Sequence, residues 1–497
     1  MLNRRNGGFL IILFSFVFVS LACSLGSSSE PTQTPPQAGA TAATVEPTVA
    51  PVEPIEEVSE STDALEPTDA IVQEPAEEPS DSSTEAPPAE EKEPETPPPD
   101  NEVYIKSIKG YRDDLGYLHI VGLVTNNTDR TVDNVEVEVE ILDNNGNSLQ
   151  VELTTISLYT LGPGETSPFA YWVSEELPNA DNYRAIVVGQ SAAEIERATI
   201  KADGVLLTVD DNGDIHITGK LVNNTINPIL VDSLAAATFD ENGELVAADS
   251  HSVIVRHLDP GEDGPFRVTM TGPEGDSTNI EEYEIYIDAA VSNPVEVFDF
   301  VTSESHYYYI DSYDAFHLVG EVTNNNDEFF TITLIAGIYD EEGNVVDAAT
   351  TDIPTFSIAP GATLPYDFQY WGPLNFQAGT IDAATNYYVQ WDPYWTWSSS
   401  SEYVDLSTTN DSNEVGAYQV TFTGDVVNDS NEEVDGATVI VSLYNIESGD
   451  LVAMGYGGIY DPIAPNATAA YQVWIDPPVD FDINAVEYEI VAKGDLP

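Results

Sequence analysis

The chain has 497 residues, a length that fits three or four domains, and carries 87 acidic against 14 basic residues, a formal charge of −73. Such a surface repels polyanions and no lysine–arginine patch interrupts it, so nucleic acid is excluded as a partner; the charge implies a self-repelling extracellular or salt-adapted surface, with divalent-cation binding as the sharper alternative. The lone cysteine, Cys23, excludes both a disulfide framework within one chain and a cysteine-based zinc site.

The N-terminus accounts for that cysteine. Arg4 and Arg5 precede an apolar run from Phe9 to Val19, broken only by Ser15, and Ser20-Leu21-Ala22-Cys23 follows. The run is short for a membrane span, and small residues lie just before the cysteine, so residues 1–22 read as a secretory signal peptide. The segment resembles the lipobox of bacterial lipoproteins, with Ser20 where that family more often has leucine. The resemblance implies that Cys23 is lipidated and becomes the mature N-terminus, anchoring the protein to the membrane on the extracytoplasmic side of a bacterial cell envelope. Several acyl chains, at roughly 0.8 kcal/mol per buried methylene, make a stable anchor where one would not. An uncleaved N-terminal helix and an ordinary cleaved signal are the plainer alternatives.

Over residues 23–101 the composition shifts to Pro, Glu, Ser, Thr and Ala, as in Glu74-Pro75-Ala76-Glu77-Glu78-Pro79 and Pro97-Pro98-Pro99. Large apolar residues are nearly absent, so nothing offsets the entropy of ordering and a disordered tether is expected. A flexible coil of this length spans roughly 50 Å root-mean-square, and more with proline stiffening and charge repulsion.

From Glu102 onward the pattern changes to period two. Leu118, Ile120, Gly122 and Val124 alternate with His119, Val121, Leu123 and Thr125; Val135, Val137, Val139 and Ile141 alternate with Glu136, Glu138 and Glu140. This predicts half-buried strands with carboxylates outward. Gly122-Leu123-Val124-Thr125-Asn126 then returns as Gly219 to Asn223, Gly320 to Asn324 and Gly424 to Asn428, a period of about one hundred residues. Each copy is followed by an acidic or amide turn: Asp143 to Gly146, Asp240 to Gly243, Asp340 to Gly343 and Asn445 to Gly449. The prolines Pro163, Pro260, Pro360 and Pro465 follow the opening glycines by 41, 41, 40 and 41 residues, and an aromatic stands six beyond each: Phe169, Phe266, Tyr366 and Tyr471. Glycine and asparagine tolerate positive φ, and Asp bonds its own backbone, so these are turn signals.

Six or seven short strands per unit, turn signals every eight to twelve residues and no helical period predict an all-β chain of four tandem immunoglobulin-like antiparallel β-sandwich domains. The bounds expected are 102–198, 199–297, 298–393 and 394–497. At this point the pattern resembles the FxLYD domain of bacterial envelope proteins. The resemblance rests on the G-x-V-x-N strand, on Gly337-Ile338-Tyr339-Asp340 and Leu443-Tyr444-Asn445, and on the L-x-P-G turns at Leu161 to Gly164 and Leu258 to Gly261. It implies an extracytoplasmic β-sandwich and brings no catalytic residues.

Four features of the sequence bear on chemistry. His119, His216 and His317 lie three residues before the repeat glycine, with Thr421 in the fourth copy. Strand parity sets them opposite the apolar face, which predicts exposure, and equivalent positions in successive domains are too far apart to share a metal. Asp210, Asn212 and Asp214 alternate like the oxygen donors of a calcium loop, but no bidentate glutamate follows and a hairpin turn explains them as well. Trp172, Trp371 and Trp474 recur near the repeat aromatic, whereas Trp391, Trp395 and Trp397 have no counterpart. The second set fits either packing between adjacent domains or stacking on sugar rings. The sequons at Asn126, Asn223, Asn428 and Asn466 read as turn asparagines.

No catalytic arrangement stands out: Gly275-Asp276-Ser277 leads to no triad, and no phosphate loop is present. The function expected is a non-enzymatic cell-surface spacer, adhesion or binding array whose partner is an extracellular protein or glycan. A carbohydrate-binding protein using Trp391, Trp395 and Trp397, or an unrecognised hydrolase, are the alternatives.

Overall fold

The computed structural model describes residues 101–497 except 174–176, 178, 181, 211, 252, 276–278, 297, 304–305, 314, 371–385 and 480. The signal segment, Cys23, the tether and Trp371 lie outside the described residues.

The regular structure of the described residues is β-strand, with one 3-10 turn at Ile483–Ala485. The first repeat contains β1 (Val103–Arg112), β2 (Leu118–Asn126), β3 (Val132–Leu142), β4 (Ser148–Thr155), β5 (Thr160–Leu161), β6 (Thr166–Val173) and β7 (Asn182–Ala192). The second contains β8 (Lys201–Val209), β9 (Ile215–Val222), β10 (Ile229–Phe239), β11 (Leu245–His251), β12 (His257–Leu258), β13 (Asp263–Met270) and β14 (Glu282–Val291). In the third are β15 (Phe300–Thr302), β16 (Tyr307–Ile310), β17 (Phe316–Asn324), β18 (Phe330–Thr331), β19 (Thr333–Tyr339), β20 (Val345–Asp352), β21 (Thr363–Tyr370), β22 (Asn386–Trp391) and β23 (Trp397–Ser398). The fourth has β24 (Tyr403–Val415), β25 (Val420–Val427), β26 (Gly436–Asn445), β27 (Leu451–Ile459), β28 (Thr468–Ile475) and β29 (Val486–Asp495).

Every repeat is an antiparallel two-sheet sandwich, as the sequence pattern predicts. A front sheet β1-β2-β6 and a back sheet β4-β3-β7 recur as β8-β9-β13 with β11-β10-β14, and as β15/β16-β17-β21 with β20-β19-β22. In the fourth repeat β24 pairs with β29 through Tyr403–Leu406 and with β25 through Ser407–Val415, so one strand joins both sheets.

The recurring motif residues hold this frame. Gly122, Gly219, Gly320 and Gly424 lie directly across from Phe169, Phe266, Tyr366 and Tyr471, which need the missing side chain's space. The first strand of the first, second and fourth repeats bulges at this level. Four asparagines close the strand. Asn126 is fully buried, and its Nδ2 donates to the carbonyls of Arg130 at 2.9 Å and Leu161 at 2.8 Å. Asn223, Asn324 and Asn428 make the same pair of bonds. Three of the four sequon asparagines are therefore structural. The fourth, Asn466, occupies a positive-φ turn position, as Gly164, Gly261 and Gly361 do in the other copies.

The repeats also pack on one another, always in the same way: the front sheet of one lies against the back sheet of the next. Ala235, Ala237, Ala248 and Tyr286 of the second repeat join the apolar cluster of the first. Ile335, Val345 and Ala348 of the third join that of the second, and the third and fourth share one core. Polar links accompany each junction. Asp288 accepts from Thr160 Oγ1 at 2.7 Å and Arg197 Nη1 at 2.6 Å, Asp347 from Arg267 Nη1 at 2.9 Å, and Glu321 from the Tyr444 hydroxyl at 2.9 Å.

This packing corrects the expectation for the histidines. His216 and His317 are buried, not exposed, and the His119 side chain is largely covered. Period two assigns their face correctly, but in the first three repeats that face is covered by the next repeat.

Candidate functional site

Between β22 and β24 the chain makes a loop that carries Tyr394, Trp395 and Trp397. Asp392 is buried and closes it: its Oδ1 accepts the amides of Tyr394 at 2.8 Å and Trp395 at 3.4 Å, and its carbonyl accepts from Thr396 Oγ1 at 2.6 Å. Burial pushes the Asp392 carboxyl up, opposed by these amide donors. The turn sets Tyr394, Trp395 and Trp397 outward while Thr396 points inward. Tyr394 and Trp395 meet edge to face at 5.3 Å, and Trp395 and Trp397 at 6.5 Å. Arg256 of the second repeat lies over the rings of Tyr394 and Trp395, at 5.6 and 5.3 Å, which holds the loop from the other side.

A cleft of about 750 Å³ opens beside this loop. Its floor is the β18–β23 ribbon, where Thr331 pairs with Trp397. The opposite wall is the segment from Asp352 to Phe356, whose Phe356 is 80% exposed. Thr331 Oγ1 donates to the Phe356 carbonyl at 2.9 Å and Thr333 Oγ1 to Asp352 at 2.7 Å. Ser398 to Ser401 complete a hydroxyl-rich rim. Sequence reasoning missed Phe356. Its only signal is its place four residues before Pro360, a position held by Tyr159 and Arg256 in the first two copies.

The three candidate tryptophans separate. Trp395 and Trp397 border the cleft, 39% and 47% exposed. Trp391 does not join them: it is half-buried against Phe298 at 5.9 Å and Phe300 at 5.7 Å, and packs on the third core.

At the second sequence candidate, Asp210 Oδ1 accepts the amides of Asn212 at 2.9 Å and Asp214 at 2.8 Å, while Oδ2 lies 3.8 Å from His216 Nε2. The same geometry stands at Asp113 with His119 and at Asp311 with His317, where the alternating oxygen donors are absent. The arrangement is a turn cap braced by a histidine, used three times. Burial and then Asp210 push the Asp214 carboxyl up. Among the described residues no group of three His, Cys, Asp or Glu is placed to hold a metal ion.

His317 is held between two carboxylates. It lies 2.8 Å from Asp367 and 3.4 Å from Asp311, and stacks on Tyr309 with ring centres 4.5 Å apart. Burial lowers its pKa, but the two carboxylates outweigh burial and the net direction is up.

No family model matches the chain, and no curated protein matches it. Among solved structures, a tetra-tandem repeat from the extending region of a large adhesion protein is 15% identical, with 77% of this chain and 95% of that one covered, at a TM-score of 0.11. An Escherichia coli alpha-2-macroglobulin activated by porcine elastase is 9% identical over 80% of this chain and 44% of its own, also at 0.11. At these scores neither likeness carries an argument about role.

Proposed function

We propose that the chain is a non-enzymatic surface array, a spacer or adhesion module, presented outside a bacterial cell by a lipid anchor on Cys23. The observation that carries this reading is the junction used three times: front sheet on back sheet, with apolar contact and buried polar links. Such a device joins domains into one body and builds no chemistry between them. The lipobox resemblance supports the anchor, the FxLYD resemblance supports an envelope location, and the acidic surface suits a self-repelling, solvated exterior. Palmitate labelling tests the anchor. The wild type is expected to label and to stay with the membrane, and Cys23→Ala to do neither; a labelled Cys23→Ala protein would sink it.

A second reading, glycan binding, is favoured by the exposure of Trp395 and Trp397 on a braced loop. Large aromatic surface left open on a fixed backbone marks a place where a ligand replaces water.

A further inference from the structure

We infer that the cleft between Phe356 and Trp397 is a binding site for an uncharged polysaccharide, with pyranose rings as the units recognised. The inference rests on the glycan reading and names the cleft, the ligand class and a residue that reading lacked. Three aromatic side chains reach solvent around it: Phe356 from one wall, Trp397 from the floor ribbon and Trp395 beside it. Sugar rings carry one face of C–H groups and a rim of hydroxyls. The aromatic surfaces suit the first, and Thr331, Thr333, Asp352 and the serines from Ser398 to Ser401 suit the second.

The walls are preorganised. Phe330 and Ile358 exchange backbone bonds at 3.2 and 2.8 Å, Ser357 Oγ donates to the Ser401 carbonyl, and the Ala359 amide donates to the Tyr403 hydroxyl at 3.2 Å. Both sides of the cleft are thus tied together before any ligand arrives, which lowers the ordering cost of binding.

Charge narrows the ligand. The lining contains Asp352 and no lysine or arginine, and Ser398 leads to Glu328 at 2.8 Å. The nearby cation, Arg256, is stacked on the Tyr394 and Trp395 rings. On a chain of formal charge −73 this lining repels uronic-acid and phosphate-bearing polymers, and leaves uncharged glycans.

The test is affinity electrophoresis of the mature protein in gels containing a β-1,3-glucan, a mixed-linkage β-glucan, a galactomannan or a polyuronate, with tryptophan fluorescence in parallel. At least one neutral polymer is expected to retard the wild type, and polyuronate is not. Phe356→Ala and Trp397→Ala are each expected to weaken that retardation about tenfold. Phe356 is exposed enough for its truncation to leave folding unchanged, which a melting curve checks. Retardation that survives both substitutions would leave a glycan-binding array but overturn this cleft. Absence of retardation by every polymer would overturn the cleft and the glycan reading together, and leave the anchored spacer standing. Retardation by polyuronate alone, or displacement of bound glycan by a proline-rich peptide, would overturn the ligand class.

Discussion

Gly122 on β2 stands directly across from Phe169 on β6, and a methyl group on that glycine would lie 2.4 Å from the phenylalanine ring. Phe169 is fully buried and Ser107 O lies 2.6 Å from the same point, so neither ring nor backbone has room to retreat. Gly122→Ala is therefore expected to destabilise the first repeat by about 1–3 kcal/mol through overpacking. Chemical unfolding of the wild type and variant measures it. Gly320→Ala, facing Tyr366, should behave alike, and an unchanged midpoint in both would show that the aromatic is not held against the glycine.

Asn126 makes a second fixed point. Its side chain donates to the buried Leu161 carbonyl and to the carbonyl of exposed Arg130, and its Oδ1 accepts the Thr128 amide at 2.9 Å. Asn126→Ala removes the donor to the buried Leu161 carbonyl, at a cost of about 2 kcal/mol. The matching prediction is chemical: expressed in a glycosylating host, the folded protein should carry no glycan at Asn126, Asn223 or Asn428. Mass spectrometry of glycopeptides decides this.

These features were legible because they are local. A glycine needed by a facing ring and an asparagine closing a strand keep the same register in every copy, and a turn glycine at φ near 80° such as Gly146 recurs within one residue of its place. Alternation likewise gave the strands and their inward faces. The sheet-on-sheet junctions were not legible: Val121 and Leu123 alternate onto the outward face, and only the packing shows that they mark a second buried surface. The same blind spot put His216 and His317 in solvent. Trp391 and Trp397 look equivalent in sequence, and only the turn at Asp392 separates the packed one from the exposed one.

The third junction carries a pH dependence through His317. Asp311, Asp367 and Asp476 are the carboxylates that face it, and Tyr309 covers its ring. Its pKa is raised on folding, so the protonated imidazole contributes stability fully below its unfolded value near 6.5, and that contribution is lost as pH rises through the raised folded value. Melting curves from pH 5 to pH 9 should show the wild type most stabilised over His317→Gln on the acid side, with the gap closing as pH rises. A gap independent of pH would mean that His317 acts by packing alone.

The two ends of the array differ from its interior in a way that predicts its behaviour in solution. Glu136, Glu138 and Glu140 lie on the outer face of β3, at the positions of Ser233, Ala235 and Ala237 in the second repeat and of Thr438, Ile440 and Ser442 in the fourth. In those repeats the face is covered by the preceding sandwich. In the first it carries three carboxylates, Glu140 paired with Arg184, beside exposed Val151, Leu153 and Ile186. At the other end the front sheet presents Thr421, Thr423 and Asp425 where the first repeat has His119, Val121 and Leu123. Burying the glutamates against Asp425 of a second copy would strand like charges in a low-dielectric contact, which prevents the junction from propagating between chains. Replacing them with the second repeat's residues, as Glu136→Ser, Glu138→Ala and Glu140→Ala together, uncovers an apolar docking face. Sedimentation at neutral pH should show a wild-type monomer and concentration-dependent association of the triple variant. A triple variant that sediments as a monomer at the same concentrations would show that shape, not charge, closes that end.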